Sequence, residues 1–501
     1  MNRKYERMDN MNISYVKESD FKDYDGVIFP VYEDSLGMAH ETLAIPFSPL
    51  KEKELFEGKK GQVHHITSMG EASFRDIVLI GLGKAEEVTG HILRNAIADG
   101  FKTLKAKKVS TMGVFLDEVS DGLTCSYAIA RNSVEAIVMA DYAFDTYKTK
   151  EKKTYLEDVT LVFDGVDDEF EAAFTEGKII AEANLLTREL VNEPANKMYP
   201  EVLANRVVEL GQSKGFEVEI FDRQAIEEMG MQAYMAVAKA SSEAPKFIVM
   251  RYKGSEIEKT LGLVGKGLTY DSGGLSIKPT SGMVAMKSDM GGAAAVIGAM
   301  SAIAENKLDV NVVAVVAACE NMIAGNSYKP GDIIGSMGGK NIFIGNTDAE
   351  GRLTLIDAMH YIVTKENVDA VVDIATLTGA AIHCLGHVAT VAISNEDSFY
   401  NMVDSSFNKA GEKIWRMPIF DEYKELIKHE DADLTNTAGS PGTITAGMFI
   451  GEFNGDLPWV HLDIAGSSWT SKAKHYTSKG GTGVGARSLY YLAKNYGKEN
   501  A

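Results

Sequence analysis

Cysteine is scarce: the 501 residues hold three, Cys125, Cys319 and Cys384, and no two stand in a C-x-x-C spacing. That excludes a disulfide framework and a thiolate zinc site, and it fits a reducing compartment. No run of 18 uninterrupted apolar residues occurs, so no membrane span is expected. The opening MNRKYERMDNMNISYV lacks the apolar core of a secretory signal. A cytoplasmic protein without a membrane partner is the expectation. Positive charge is also short, 51 Lys and Arg against 71 Asp and Glu, a net charge of −20. Such a balance disfavours nucleic acid as a partner. It also makes close pairs of acids common by chance, so carboxylates alone prove little.

What is present reads as an α/β protein. At this length one hydrophobic core rarely suffices, and two domains are expected. Over the first 165 or so residues, DGVIFPVY, DIVLIGLG, KVSTMGVFL and TLVFDG read as strands, and HILRNAIADGFKTLKAK and SYAIARNSVEAIVMADYAF as helices. The polar run DTYKTKEKKTYLED reads as an exposed loop. A long helix over about 169–191 stops near NEPANKMYP, where Pro194 and Pro200 punctuate a helix end and a helix start. Beyond it, FEVEIF, KFIVMRY, TLGLVGKG, VNVVAVVAACE, DAVVDIATL and PWVHLDIAG alternate with helical stretches. Several are nearly continuous apolar runs, as in strands covered on both faces. The expected division is a smaller N-terminal α/β domain over 1–168, a connecting helix over 169–199, and a larger α/β domain over 200–501. The larger domain should carry a mostly parallel or mixed central sheet flanked by helices.

Residues 261–300 hold two acids, Asp271 and Asp289, where simple proportion would place about five or six. They also hold Lys266, Lys278 and Lys287, among glycine, alanine and aliphatic residues. Isolated ions are costly to bury, so such charges are paired, bound to metal, or at the surface. Taken singly, each has an ordinary reading: Asp289 as the N-cap of the apolar helix that follows, Asp271 as a turn residue before Gly273 and Gly274, the lysines as surface. Further on, NTDAEGRL sets Asp348, Glu350 and Arg352 at intervals of two just ahead of a helical pattern. If that approach is extended, all three side chains point to one side. Four carboxylates can hold two hard or borderline divalent ions, which together polarise a carbonyl and activate a water. A lysine can act as electrophile, or as ligand when neutral, and an arginine holds a planar anion with two hydrogen bonds.

VGKGLTYDSGGLSIKP, MKSDMGGAAAV and NTDAEGRL closely resemble the signature segments of the leucyl aminopeptidase (cytosol aminopeptidase) family, and NEPANKMYP, ENMIAGNSYKPGDII, DIATLTGA and HLDIAG match it too. The resemblance spans about 190–490, with IVLIGLGKAEE the clearest segment before it. It implies a metal-dependent aminopeptidase acting on peptides with a free N-terminus, leucine and other apolar residues preferred. It implies that Lys266, Asp271, Asp289 and Glu350 hold one ion, and that Asp271, Asp348 and Glu350 hold the other. Manganese or zinc are the first candidates, magnesium or cobalt further ones. Lys278 and Arg352 match the catalytic pair, Lys278 polarising the scissile carbonyl and Arg352 holding a bicarbonate. Met286, Asn346, Thr376, Leu377, Gly379 and Ala465 match positions that line or abut the substrate. The family also implies a homohexamer, with the catalytic chemistry in 200–501 and an assembly or regulatory role for 1–168. Phe343, Gly345 and Ser288 depart from the family pattern, and Ser288 bears on the side-chain pocket because relatives often carry an aromatic there.

Two further readings keep part of this picture: a Cys-Gly-type dipeptidase on the same site, and a DNA-binding or regulatory protein on the same scaffold. Other signals are set aside. His383 and His387 form H-x-x-x-H without the glutamate of a zinc protease, and Gly386 interrupts the helix that would align them. GSMGGKN lacks the spacing of a phosphate loop.

Overall fold

Apolar runs that do not alternate, such as IVLI and VVAVVAA, must be strands covered on both faces, and each is an interior strand of its own sheet, paired on both sides. The computed structural model describes residues 11–20, 23–33, 35, 48–70, 74–149 and 155–499. It has two units, 1–182 with 472–478, and 183–471 with 479–501. The chain therefore returns to the first unit for seven residues near its C-terminal end.

In the first unit, β1 (Asn12–Val16), β2 (Gly26–Tyr32), β3 (Val63–Thr67), β4 (Asp76–Gly83), β5 (Thr111–Phe115) and β6 (Asp158–Val162) form one sheet in the order β1-β6-β5-β2-β4-β3. All neighbours are parallel except β3, which runs against β4. β2 and β4 are buried along their whole length. The helix Gly90–Ala106 starts on Thr89, whose hydroxyl accepts from Ile92 N at 3.3 Å, an ordinary N-cap. Of the polar run expected as a loop, residues 150–154 lie outside the described residues.

In the second unit, β7 (Glu217–Phe221), β8 (Lys246–Lys253), β9 (Thr260–Asp271) and β10 (Asn311–Asn321) are followed by the short β11 (Ile333–Ile334) and β12 (Ile342–Phe343). Then come β13 (Ala370–Ala375), β14 (Thr390–Ser394), β15 (Ile414–Arg416), the short β16 (Leu434–Thr435) and β17 (Trp459–Asp463). The eight-stranded sheet runs β15-β14-β17-β13-β9-β10-β8-β7. Its centre, β10, β9, β13 and β17, is parallel, and β8, β7 and β14 are antiparallel to their inner neighbours. This is the mixed α/β sheet expected from the sequence. The helices Gly351–Lys365 and Gly442–Gly451 share one core with Val264, Leu268 and Val371. The opposite side chains of the sheet, such as Ile374, meet the helix Gly291–Glu305. Gly292 is needed there: a Cβ would lie 2.0 Å from the Ile374 carbonyl oxygen. No helix among the described residues is long and apolar enough to cross a membrane.

Candidate functional site

The four central strands are parallel, so their carboxyl ends lie along one edge of the sheet, the usual place for a site in an α/β fold. β9 does not stop at Gly267, where the run TLGLVGKG ends, but continues to Asp271 because β10 pairs with it as far as Asn321. Lys266 thus sits inside the strand, buried, with Nζ 2.8 Å from Asp289 Oδ2, 2.9 Å from Glu350 Oε1 and 3.0 Å from the Thr376 carbonyl oxygen. Asp289 does not cap the helix that follows. The residue at that position is Met290, without a side-chain cap, and the Asp289 carboxylate is drawn instead to Lys266 and to Thr376 Oγ1 at 2.8 Å. Gly351 leaves room for the lysine, since a Cβ there would lie 2.4 Å from Lys266 Cε.

A second group forms beside it. Lys278 Nζ lies 2.7 Å from Asp271 Oδ2 and 2.5 Å from Asp348 Oδ1. The approach to the helix Gly351–Lys365 is not extended. Residues 347–348 form a turn, and Glu350 is already in the right-handed helical region at φ −78°, ψ −34°. Asn346 closes the turn, its Oδ1 accepting from Asp348 N at 2.8 Å, a short-range bond typical of asparagine. The convergence expected of the two acids still occurs by this other route. Oxygens of Asp271, Asp348 and Glu350 all come within 4.8 Å of one another.

The residues fit divalent metal ions. Three carboxylates aimed at one point suit a hard or borderline cation, and Glu350 Oε2 is buried with no hydrogen-bond partner among the described residues. Arg352 is buried as well, and its Nε is likewise without such a partner.

The charges explain the electrostatics. Burial opposes the charge on Lys266, but Asp289, Glu350 and Asp271 outweigh it and raise its pKa above the ordinary value. Lys278 is raised in the same way, burial being overcome by Asp271 and Glu350. Four acids face few cations, so the acids rise too. Burial and Asp271 push Glu350 up to about 8, against the pull of Lys266. Burial carries Asp289 up to about 6, also against Lys266. Asp348 is raised by burial despite Lys278. Burial lowers Arg352 to about 10, with Glu350 and Asp463 resisting. Divalent cations among these carboxylates would add positive charge and reverse the trend for the acids.

Of the residues expected around the substrate, Thr376 reaches Asp289 directly. Leu377 N and Ala465 N both donate to Asp463 Oδ1, each at 3.1 Å, which draws the two segments together. Asn346 holds the turn at Asp348, Met286 opens the short helix Met286–Met290, and Gly379 opens the helix Gly379–Leu385. Ser288 is buried and spends its hydroxyl on the Ala285 carbonyl at 2.6 Å. His383 Nδ1 donates to Gly379 O and His387 Nδ1 to Gly466 O, at 2.8 and 2.7 Å, so the two rings serve different backbone segments. Sequence reasoning missed Asp463, Asn321 and Asn436. Asn436 Nδ2 donates to Asn346 O at 2.7 Å and its Oδ1 accepts from Gly345 N at 2.8 Å, holding the Asp348 segment from a distance of 90 residues along the chain. The one available signal was position, since Asn321 and Asp463 are polar residues ending apolar strands.

Comparison with known proteins places the chain in a family. Residues 185–490 match the model of the cytosol aminopeptidase family, catalytic domain, and residues 33–151 match its N-terminal domain. A probable cytosol aminopeptidase of Clostridium perfringens is 46 % identical over 95 % of this chain and 98 % of its own length. One of Clostridium tetani is 48 % identical over 90 % of this chain and 93 % of its own. Among solved structures, a mutant of tomato leucine aminopeptidase superposes with a TM-score of 0.87 at 31 % identity, covering 97 % of this chain and 96 % of that one. The bottromycin maturation enzyme BotP in complex with Mn gives 0.82 at 30 % identity, over 94 % and 99 %.

Proposed function

The chain belongs to the cytosol aminopeptidase family and is an aminopeptidase, and from that premise we propose that it releases N-terminal residues, leucine and other apolar residues first, at a site holding two divalent ions. The observation that carries this reading is the meeting of Asp271, Asp348 and Glu350 within 4.8 Å, next to Asp289 and Lys266. Lys266, Asp271, Asp289 and Glu350 would hold one ion, and Asp271, Asp348 and Glu350 the other, with manganese or zinc the first candidates. Such ions supply Lewis acidity toward the scissile carbonyl and lower the pKa of a water.

The chain's own residues do the rest. Lys278, cationic and half-buried between Asp271 and Asp348, places positive charge where the carbonyl oxygen gains negative charge. Arg352, whose Nε has no hydrogen-bond partner among the described residues, holds a small planar anion such as bicarbonate, which can accept a proton from the attacking water. Carboxylates at the centre also favour a substrate that brings a free amine, which an internal peptide bond cannot offer. Met286, Thr376, Leu377, Gly379 and Ala465 border the substrate, and Asn346 shapes its floor. Assembly as a hexamer in the cytoplasm completes the reading, by likeness to the family.

The test is N-terminal residue release from Leu-, Met-, Ala-, Arg- and Cys-Gly-type substrates by metal-stripped protein, with and without added manganese or zinc. N-acetylated substrates and Asp348→Ala serve as controls. Metal-dependent cleavage of free-amine substrates only, lost in the variant, is expected. Turnover of Cys-Gly alone would replace the reading with the dipeptidase. No turnover by folded, metal-loaded protein would defeat it.

A further inference from the structure

β10 ends on Asn321, which lies opposite Asp271 in the parallel pair. Its side chain is fully buried, and Nδ2 donates twice, to Asp271 Oδ1 at 2.9 Å and to the Thr347 carbonyl at 3.0 Å. Its own carbonyl accepts from Ser272 N at 3.0 Å and from Ser272 Oγ at 2.7 Å. Two chain segments thus meet at one amide: that of Asp271 and Lys278, and that of Asp348 and Glu350. Tyr328 Oη adds a separate bond to the Thr347 carbonyl, at 2.7 Å.

The orientation of this amide is fixed by chemistry. A flip would set its oxygen against two acceptors. In the orientation present, Asn321 Oδ1 is buried with no hydrogen-bond partner among the described residues, a cost that a residue placed only for stability would not need to bear. Asp271 Oδ1 is already taken by Asn321 Nδ2 and by Gly273 N at 2.8 Å. Oδ2 is left, facing Lys278.

We propose that Asn321 is a positioning residue for the metal centre: it occupies Asp271 Oδ1, so that Asp271 serves the ions through Oδ2, and it sets the spacing between Asp271 and Asp348. The inference rests on the two-ion reading above. Outer partners of this kind typically change metal affinity by 10–100-fold when removed. Tyr328 supports only the Thr347 carbonyl and should matter less.

The experiment is titration of metal-stripped protein with manganese chloride by calorimetry, together with the visible absorption spectrum of the cobalt-loaded protein. Asn321→Leu, of similar size and without donors, is compared with Tyr328→Phe and with Asn321→Thr, a milder lesion that keeps one donor. Melting of each stripped protein reports folding, and Asn321→Thr decides the matter where Asn321→Leu does not fold. Two ions in the parent, a roughly 10–100-fold loss of affinity in Asn321→Leu, a changed cobalt spectrum, and a smaller loss in Tyr328→Phe are expected. Parental affinity and spectrum in both Asn321 variants would overturn the inference and leave the two-ion reading standing. A loss no greater than that of Tyr328→Phe would overturn it equally. A parent that binds fewer than two ions would remove the two-ion reading itself, and this inference with it.

Discussion

Asp373 is a carboxyl residue at the centre of the larger sheet. It is fully buried on β13, opposite His461 of β17 in the register. One carboxylate oxygen lies 2.6 Å from His461 Nδ1 and the other accepts from Trp459 Nε1 at 2.7 Å. His461 Nε2 has no hydrogen-bond partner among the described residues, so Asp373 is the main support for charge on the ring, with Asp463 adding to it. Asp373→Ala would strand an indole N–H and an imidazole away from water. Each stranded donor costs about 1–3 kcal/mol, and breaking a buried ion pair from one side costs about 3–5 kcal/mol. At about 2–4 °C per kcal/mol for a large domain, the melting temperature of the metal-stripped protein should fall on the order of 6–20 °C. The pH dependence has a definite sign. Burial lowers the pKa of His461, but Asp373 overcomes this and the net shift is upward. A base whose pKa is higher folded than unfolded contributes stability in full below about 6.5, and loses it as pH rises through the folded value. Asp373→Asn removes that contribution while keeping the shape. The melting gap between parent and Asp373→Asn should therefore be widest near about pH 6 and narrow above about pH 7. Melting by calorimetry over this range is the assay. A drop under about 2 °C for Asp373→Ala, less than the smallest of these costs, would refute the account of the buried dyad, and a gap that widens with pH would refute the charge assignment.

Three further outcomes follow from the same packing. Lys266→Met leaves Asp289 and Glu350 buried without their shared cation, and should cost about 3–5 kcal/mol in the metal-stripped protein, read as a lower melting temperature. Gly292→Ala sets a Cβ 2.0 Å from the Ile374 carbonyl oxygen and 2.9 Å from Lys266 N. Overpacking against backbone costs about 1–3 kcal/mol or more, so soluble yield and melting temperature should both fall. Asp357 accepts from Tyr234 N at 2.9 Å and Met337 N at 2.8 Å, yet burial pushes its carboxyl up to about 7. An acid raised on folding loses stability as pH climbs from its unfolded value of about 4 toward the folded one. The advantage of the parent over Asp357→Asn should shrink over that window in pH-dependent melting.

The sheets were legible because both-sided burial writes itself as apolar runs, and the site was legible because acids are rare where Asp271 and Asp289 stand. What escaped was decided by partners far along the chain. Asp289 has the position of an N-cap, but Lys266 and Thr376, 23 and 87 residues away, claim its carboxylate. A local preference worth about 1 kcal/mol loses to a buried ion pair. The spacing of the acids would suit an extended approach, whereas the Asn346 side chain captures Asp348 N and bends the chain at 347–348. The apolar run TLGLVGKG ends at Gly267, and only pairing with β10 carries the strand on to Asp271.

The sheet also explains why such scattered residues meet. Neighbouring strands lie about 4.8 Å apart, so residues at their ends come within reach of one another. β9 brings Asp271, β10 brings Asn321 beside it, β13 leads to Thr376, and β17 ends on Asp463. Each strand thus delivers one polar residue to the same edge, at a spacing that its backbone hydrogen bonds hold rigid. Asp348 and Glu350 have no strand of their own and come from a turn, so their segment must be tied down from outside. Asn321 and Tyr328 hold the Thr347 carbonyl, and Asn436 holds Asn346 and Gly345. These four bonds lie outside the sheet, and loosening them should separate metal affinity from fold stability more cleanly than any change to the carboxylates themselves.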